Sequence, residues 1–380
     1  MAKKKKIRAD FRKNRSERTR QSDWTRKYQQ DAFAQEDPVT EERISGKGDL
    51  TRRRTITGAE PDDPDSGLEV QLHVDEAACL RGRVLSVHGL VCFVQEEQSG
   101  QTYRCVTRRI LKTLATDLRH VVAAGDHVRF QLVPNLDQKE GVIERVEPRH
   151  GIISRAVQGK QQVIVANVDQ VLVVSSASEP PLKPNLIDRL LVTAEKARLR
   201  PVICINKIDL TDPASMEPLV GVYSQMGYTT LLLSAATGFG TDRLRRLLTG
   251  RASVVVGQSG VGKSSLLNAV EKSLSLSVGP VCEETRKGRH TTTAARLLPL
   301  SFGGYVVDTP GVRQFQLWDV IPEEVAGFFR DFRPYVSLCR FPDCTHTHEA
   351  GCAIKDSVAD GRLDDRRYES YCRLFSGQID

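Results

Sequence analysis

The chain has 380 residues, 39% hydrophobic and 27% charged, with a net charge of +7, which suits a soluble globular protein of two or three domains. No apolar run approaches the roughly 18 residues that span a bilayer, and no apolar stretch follows the lysine-rich start, so neither a membrane protein nor a secretory signal is expected. Nine cysteines, an odd number spread along the chain, argue against a disulfide framework and for a reducing, cytoplasmic setting.

The charge is uneven. Residues 1–30 carry a local +9 and residues 31–66 a local −5, which leaves +3 for the remainder. This arm, 1–69, lacks apolar periodicity and ends in the turn-rich Pro61-Asp62-Asp63-Pro64-Asp65-Ser66-Gly67, so it reads as disordered. It is either a solubilising tail or a polyphosphate-binding arm, ribosomal RNA being a typical partner for the latter.

Residues 70–149 change character. Strand-like runs at 82–87, 90–95, 102–107, 127–133 and 142–146 alternate with turn signals such as His88-Gly89 and Gly125-Asp126, and a helix fits within 108–124. Five short strands in so short a span predict a small closed barrel, with an OB-fold the natural candidate. Arg81, Arg83, Arg104, Arg108, Arg109 and Lys112 make it either an RNA-binding surface or a barrel with ordinary solvated charges.

From 150 to 319 strands alternate with helices. Strands are predicted at 171–175, 201–205, 231–234, 253–256 and 305–307, with a helix opening at Pro184, the pattern of a doubly wound α/β sheet. Gly257-Gln258-Ser259-Gly260-Val261-Gly262-Lys263-Ser264 is a full G-x-x-x-x-G-K-[ST] match between a strand and a helix that starts near Ser265. Its glycines let amide groups converge on phosphate oxygens, Lys263 would reach the β- and γ-phosphates as a catalytic cation, and the Ser264 hydroxyl would ligate Mg²⁺. Asn206-Lys207-Ile208-Asp209 selects the base. The Asp209 carboxylate can accept from both N1–H and the exocyclic amine of guanine, a pair of donors that adenine lacks. Asn206 and Lys207 would brace the base and the phosphate loop, and Ser234-Ala235 fits a backbone contact to the guanine oxygen. Asp308-Thr309-Pro310-Gly311 matches D-x-x-G, with Asp308 holding Mg²⁺ through water and the Gly311 amide sensing the γ-phosphate. Between them lies Lys287-Gly288-Arg289-His290-Thr291-Thr292-Thr293, in which Thr291 or Thr292 is the candidate to close over Mg²⁺.

Cys339, Cys344, His346 and Cys352 fall within fourteen residues. Three thiolates and an imidazole form a complete tetrahedral zinc set of the closed, structural kind, with a disulfide as the alternative. His348 reads as solvent-facing and most of the other six cysteines as core fillers. The tail, 356–374, is helical in pattern, with Arg366 and Arg367 on an RNA-contacting or solvated face.

The order of the nucleotide motifs is unusual: N-K-x-D, S-A, phosphate loop, threonine segment, D-x-x-G. With a barrel before it and a cysteine–histidine segment after it, the chain resembles the small ribosomal subunit biogenesis GTPases (the RsgA or YjeQ family), circularly permuted GTPases, over roughly residues 75–376. The resemblance implies an OB-fold barrel, a permuted GTPase domain and a zinc domain at 320–380, with GTP and Mg²⁺ at the motifs above and zinc at the same four positions. It also implies binding to the small subunit and its RNA, with subunit-stimulated hydrolysis driving release. The rivals are a GTP-dependent RNA-binding module with little turnover and a GTPase acting on another protein. Where many GTPases carry a water-orienting glutamine after D-x-x-G, this chain has Val312. His290 is the best polar substitute and Gln314 a weaker one, unless His290 merely meets RNA or solvent. The permutation joins Asp308–Gly311 directly to the C-terminal domain, so motion on γ-phosphate loss would pass along that link. No heptads suggest self-assembly, and a monomer is expected.

Overall fold

The computed structural model describes residues 6–10, 53–57, 59–61, 70–72, 74–108, 111, 121–133, 139–157, 160–276, 295–308 and 321–378. Two short antiparallel ladders lie within the arm, where composition predicts no structure. They join β1 (Lys6–Asp10) to β2 (Arg53–Thr57) and β3 (Ala59–Pro61) to β4 (Val70–Leu72). Ile7 and Ile56 are register partners in the first, in a pairing of segments more than forty residues apart that local periodicity does not detect.

The barrel consists of β5 (Leu80–His88), β6 (Val91–Glu96), β7 (Thr102–Thr107), β8 (His127–Leu132) and β9 (Glu140–Val146). Their order is β5-β6-β7-β9-β8, closed by β5 on β8, with β7 and β9 parallel and every other pair antiparallel. This is an OB-like closed barrel around Val84, Val94, Phe130 and Ile143, each fully buried. Closure leaves no free edge to pair with another chain.

Two of the barrel's arginines are not surface groups. Arg83 donates to the Asn167 carbonyl at 2.7 Å and lies over the Tyr305 ring, 4.6 Å from its centroid. Arg108 pairs with Glu144 at 2.9 Å with both side chains largely covered. The basic surface read from the sequence therefore shrinks, with Arg81 exposed and Arg109 and Lys112 outside the described residues.

A hairpin absent from the sequence reading, β10 (Ile153–Val157) with β11 (Lys160–Val165), links the barrel to the second layer. There β12 (Gln170–Ser176), β13 (Arg200–Asn206), β14 (Thr229–Leu232), β15 (Ala252–Val256), β16 (Arg296–Pro299) and β17 (Tyr305–Asp308) run in the order β14-β13-β12-β15-β17-β16. All neighbours are parallel except β16, which joins β17 antiparallel and touches the barrel at Arg296 opposite Ser86. Val171–Val174 and Val202–Ile205 are buried throughout, because helices cover both faces of a parallel sheet. The helices are α1 (Pro184–Lys196), α2 (Glu217–Gln225), α3 (Thr241–Leu248) and α4 (Lys263–Val270). Helix α1 starts on a proline and buries Ile187, Leu190, Leu191 and Ala194, one face at helical spacing.

The C-terminal domain holds α5 (Val325–Phe328), α6 (Arg333–Val336), α7 (Ala353–Ala359) and α8 (Asp365–Phe375) around Phe329, Phe332 and Tyr371. The helical tail is thus two helices, broken at Gly361, where φ is 70°. Arg367 is buried, not solvated, and bonds to Asp188 and Asp331; Arg366 pairs with Asp364 at the surface. Among the described residues no helix is long and apolar enough to cross a membrane.

A buried fork ties the chain ahead of β8 to the chain that leaves β9. Arg149 Nε and Nη2 each donate to Asp126 at 2.7 Å, Nη2 also donates to the Val121 carbonyl, and neither side chain has solvent exposure. Asp126→Ala strands the guanidinium and is expected to cost about 3–5 kcal/mol, read as a lower urea midpoint. Replacing both partners with apolar residues of similar volume removes the stranded charge and leaves only the Val121 carbonyl and the Ala123 amide to find new partners, so it should cost less.

Candidate functional site

The phosphate-loop strand β15 lies between β12 and β17, and the motifs follow the carboxyl ends of β13, β14, β15 and β17, all on one edge of the parallel sheet. The loop 257–262 leaves β15 at Gly257, with φ 144°, and enters α4 at Gly262, with φ 88°. A Cβ at Gly257 would meet the Val174 carbonyl at 2.0 Å and one at Gly262 would meet Asn206 Nδ2 at 2.4 Å, so only glycine fits at either. Lys263 Nζ folds back onto the loop, donating to the carbonyls of Gly257 at 2.9 Å and Gln258 at 2.7 Å. Ser264 and Ser265 occupy the first turn of α4 and are half-buried; Ser259 and Gly260 are exposed, and Val261 is packed into the core. A helix amino terminus with its amides turned toward an open loop can hold an anion.

Asn206 ends β13 and is 1% exposed. Its Nδ2 donates to the Val261 carbonyl at 2.9 Å, and its Oδ1 accepts from the Ala235 amide at 3.1 Å. One side chain thereby ties together the loops after β13, β14 and β15. Lys207 sits at φ 62°, the left-handed region that a side-chain-bearing residue rarely adopts. The conformation is held from both sides, by the Ile208 amide on the Leu233 carbonyl at 3.1 Å and by Lys207 Nζ on the Glu179 carbonyl at 2.6 Å. Asp209 lies on the short turn Ile208–Leu210 and is exposed. Ser234 is fully buried, and its Oγ accepts from the Thr237 amide. Asp308 is exposed at the end of β17, next to the strand that feeds the phosphate loop. His290, Thr291, Thr292, Gly311, Val312 and Gln314 lie outside the described residues.

The segment 177–183, between β12 and α1, carries none of the motifs, yet it reaches the site. Glu179 supplies the acceptor for Lys207, and Pro180 lies 3.7 Å from where a Cβ on Gly260 would stand. A contact made through a backbone carbonyl leaves no signature in residue type.

In the C-terminal domain Cys339, Cys344, His346 and Cys352 bring one ligand atom each within 4.8 Å of one another. Cys339 Sγ and Cys352 Sγ are each 3.5 Å from His346 Nδ1 and 4.0 Å from one another. A tetrahedral ion with bonds of about 2.3 Å to sulfur and about 2.0–2.1 Å to nitrogen separates sulfur from sulfur by roughly 3.8 Å and from nitrogen by roughly 3.5 Å. The four groups therefore fit a metal ion, and the disulfide alternative is not what forms here, because the three thiols are free. The shell around them is built for position. Tyr368 Oη donates to the His346 carbonyl at 2.8 Å and Tyr371 Oη to the Thr345 carbonyl at 2.6 Å. Glu349 accepts from the Thr345 and Thr347 amides, and the Thr345 hydroxyl holds its carboxyl well below the usual range. His348 is exposed. Cys79, Cys92, Cys105 and Cys204 are buried, and burial pushes the Cys105 and Cys204 thiols up to about 12; Cys372 is half-buried, and Cys282 lies outside the described residues.

Comparison with known proteins agrees with this geometry. The RsgA GTPase family profile matches residues 146–318. The small ribosomal subunit biogenesis GTPase RsgA of Sodalis glossinidius is 42% identical over 303 residues, 77% of this chain and 84% of that protein. Its counterpart in Histophilus somni is 38% identical over 299 residues, 78% and 83% of the two chains. The crystal structure of YjeQ from Thermotoga maritima superposes with a TM-score of 0.64 at 36% identity, covering 79% of this chain and 98% of that one. That of YloQ, described as a circularly permuted GTPase, gives 0.61 at 29% identity, covering 80% and 96%. With relatives this similar over most of its length, and with the motif order of a permuted nucleotide domain, the chain belongs to the RsgA family of GTPases.

Proposed function

We propose that this chain hydrolyses GTP on the maturing small ribosomal subunit in the cytoplasm, with the subunit stimulating turnover and hydrolysis favouring release. The observation that carries the nucleotide half of this reading is the double hydrogen bond of Asn206, which makes the base-selecting and phosphate-binding loops a single site. Asp209 reads guanine through two donors; the Ser234 and Ala235 amides already donate, to the Phe239 carbonyl and to Asn206 Oδ1, so a contact from this turn to the guanine oxygen would share one of them. The amides of 257–262 and the Lys263 ammonium take the phosphates. Lys263 now rests on two loop carbonyls, so phosphate oxygens would replace acceptors it already holds in place. Ser264 and Asp308 are the protein groups for Mg²⁺, which when bound neutralises phosphate charge. Cys339, Cys344, His346 and Cys352 hold one structural zinc. His290, with Thr291 or Thr292, completes the site once the subunit is bound.

The partner half rests on the names of the relatives and on the positive arm. A backbone-phosphate grip weakens steeply with salt, so co-sedimentation with purified small subunits should fall sharply between low and physiological ionic strength. Phosphate release should be slow alone and rise on adding subunits. No rise would favour the reading in which GTP only licenses RNA binding.

Three further outcomes check individual roles. Lys263→Ala should lower turnover by about 10²–10³-fold while leaving the melting temperature close to the parent's. Asp209→Asn loses charge-assisted bonds of about 1.5–3 kcal/mol each and should weaken GDP by at least about 10²-fold in a calorimetric titration, with little effect on ATP. Elemental analysis should find one zinc per chain, and Cys344→Ser should lose it together with the protease resistance of 321–378.

A further inference from the structure

The C-terminal domain grips the nucleotide domain along one helix, and the chain just ahead of that helix lies in the nucleotide site. Arg367 on α8 is 3% exposed and has three anchor points. Its Nη1 donates to Asp188 at 2.5 Å, while Nε and Nη2 donate to Asp331 at 3.1 Å and 2.9 Å. The guanidinium lies over Phe329, 4.3 Å from the ring centroid. Asp188, on α1, has no solvent exposure and also accepts from Tyr223 Oη on α2 at 2.8 Å.

The grip extends along the whole of α1. At its start Ser370 Oγ donates to Asn185 at 3.1 Å. In its middle Val192 is buried in the cluster formed by Phe329, Phe332 and Tyr371. At its end Arg330 and Arg333 reach Glu195, and Lys196 reaches Glu324. The opposite face of α1 packs on the sheet through Ile187, Leu190 and Leu191. A helix held on both faces moves as a unit with what holds it.

Only the segment 177–183 separates β12 from α1, and this segment meets the nucleotide site twice, at the Glu179–Lys207 bond and at Pro180 beside Gly260. We propose that Arg367 and Asp188 are positioning residues for nucleotide binding: their buried pair sets the seat of α1, and α1 sets where the 177–183 segment holds Lys207 against the phosphate loop. The inference rests on the guanine-nucleotide reading above and adds to it the route by which the metal-bearing domain adjusts affinity. Charges buried in fixed geometry suit this task, because they tolerate one arrangement and penalise its neighbours. Coupling of this kind is reciprocal, so nucleotide must tighten the grip by as much as the grip tightens nucleotide.

Two measurements on the full chain test it. In the first, Asp188→Asn, Arg367→Met and the double variant are titrated with a fluorescent GDP analogue, with zinc content and melting curves taken alongside. Each single variant should bind the analogue about 3–10-fold more weakly, mostly through faster dissociation, with metal retained. The double variant should lose no more than the worse single one, since the pair acts as a unit. In the second, hydrogen exchange of the amides in 365–375 is followed in the unaltered protein with and without GDP. GDP should slow that exchange, although among the described residues α8 packs on α1 and α5 and not on the nucleotide-site loops. Unchanged affinity in folded, metal-bearing variants overturns the proposal, and so does exchange indifferent to GDP, a test that stands even if the variants do not fold. If the unaltered protein fails to bind GDP at all, the nucleotide reading itself falls; binding that ignores both tests removes only the coupling.

Discussion

A buried amide that donates to one loop and accepts from another fixes the distance between them. Asn206 does this at the centre of the nucleotide domain, where the chain must align loops that follow three different strands. Each loop on its own has few constraints, being glycine-rich or a short turn. The sheet brings the strand ends to a common edge, but strand pairing alone sets loop tips only loosely. With Asn206 in place, the loop carrying Asp209 and the loop carrying Lys263 cannot move apart without leaving a buried polar group unpaired, at a cost of about 1–3 kcal/mol. The cost to glycine at 262 has the same origin: Asn206 Nδ2 occupies the space where a side chain would begin.

The C-terminal domain meets a different constraint. Residues 321–378 are too few to bury a large core, and their aromatic cluster of Phe329, Phe332 and Tyr371 is small. Two devices make up the difference. The cysteine–histidine cluster ties 339–352 together, and Tyr368 and Tyr371 connect that loop to α8 through its backbone carbonyls. The seam with α1 then extends the core beyond the domain, since Val192 belongs to it. The result is a domain whose interior is partly borrowed from its neighbour.

What the sequence disclosed follows from where chemistry depends on residue type. A carboxylate at 209, a lysine at 263, glycines at positive φ and a thiolate–imidazole set are each demanded by a reaction or a geometry, and so they are legible. The parallel strands are legible too, because Val171–Val174 and Val202–Ile205 must be apolar on both faces. Arginine is ambiguous. Arg83 and Arg367 look in sequence like any solvated cation, and only the fold reveals that Asn167, Tyr305, Asp188 and Asp331 surround them. The β10–β11 hairpin is not legible because its two strands are too short to show a period. The segment 177–183 was hidden because it acts through a carbonyl and a proline ring.

The permuted order gains its meaning from the sheet. Strand β15, which carries the phosphate loop, has β12 on one side and β17 on the other. The C-terminal domain is joined covalently to β17 through 309–320, and non-covalently to β12 through α1 and the seam at Asp188. It thus holds both flanks of the phosphate-loop strand, one by chain and one by contact. In the unpermuted order the D-x-x-G strand would lead back into the nucleotide domain, and no outside domain would receive both connections. The expected route of communication, along the link from Asp308, is therefore half of the attachment. The other half runs through α1 to the loop carrying Asn206–Asp209, so that a displacement of β17 relative to β12 has to be absorbed in the link, in the seam, or in the position of the C-terminal domain itself.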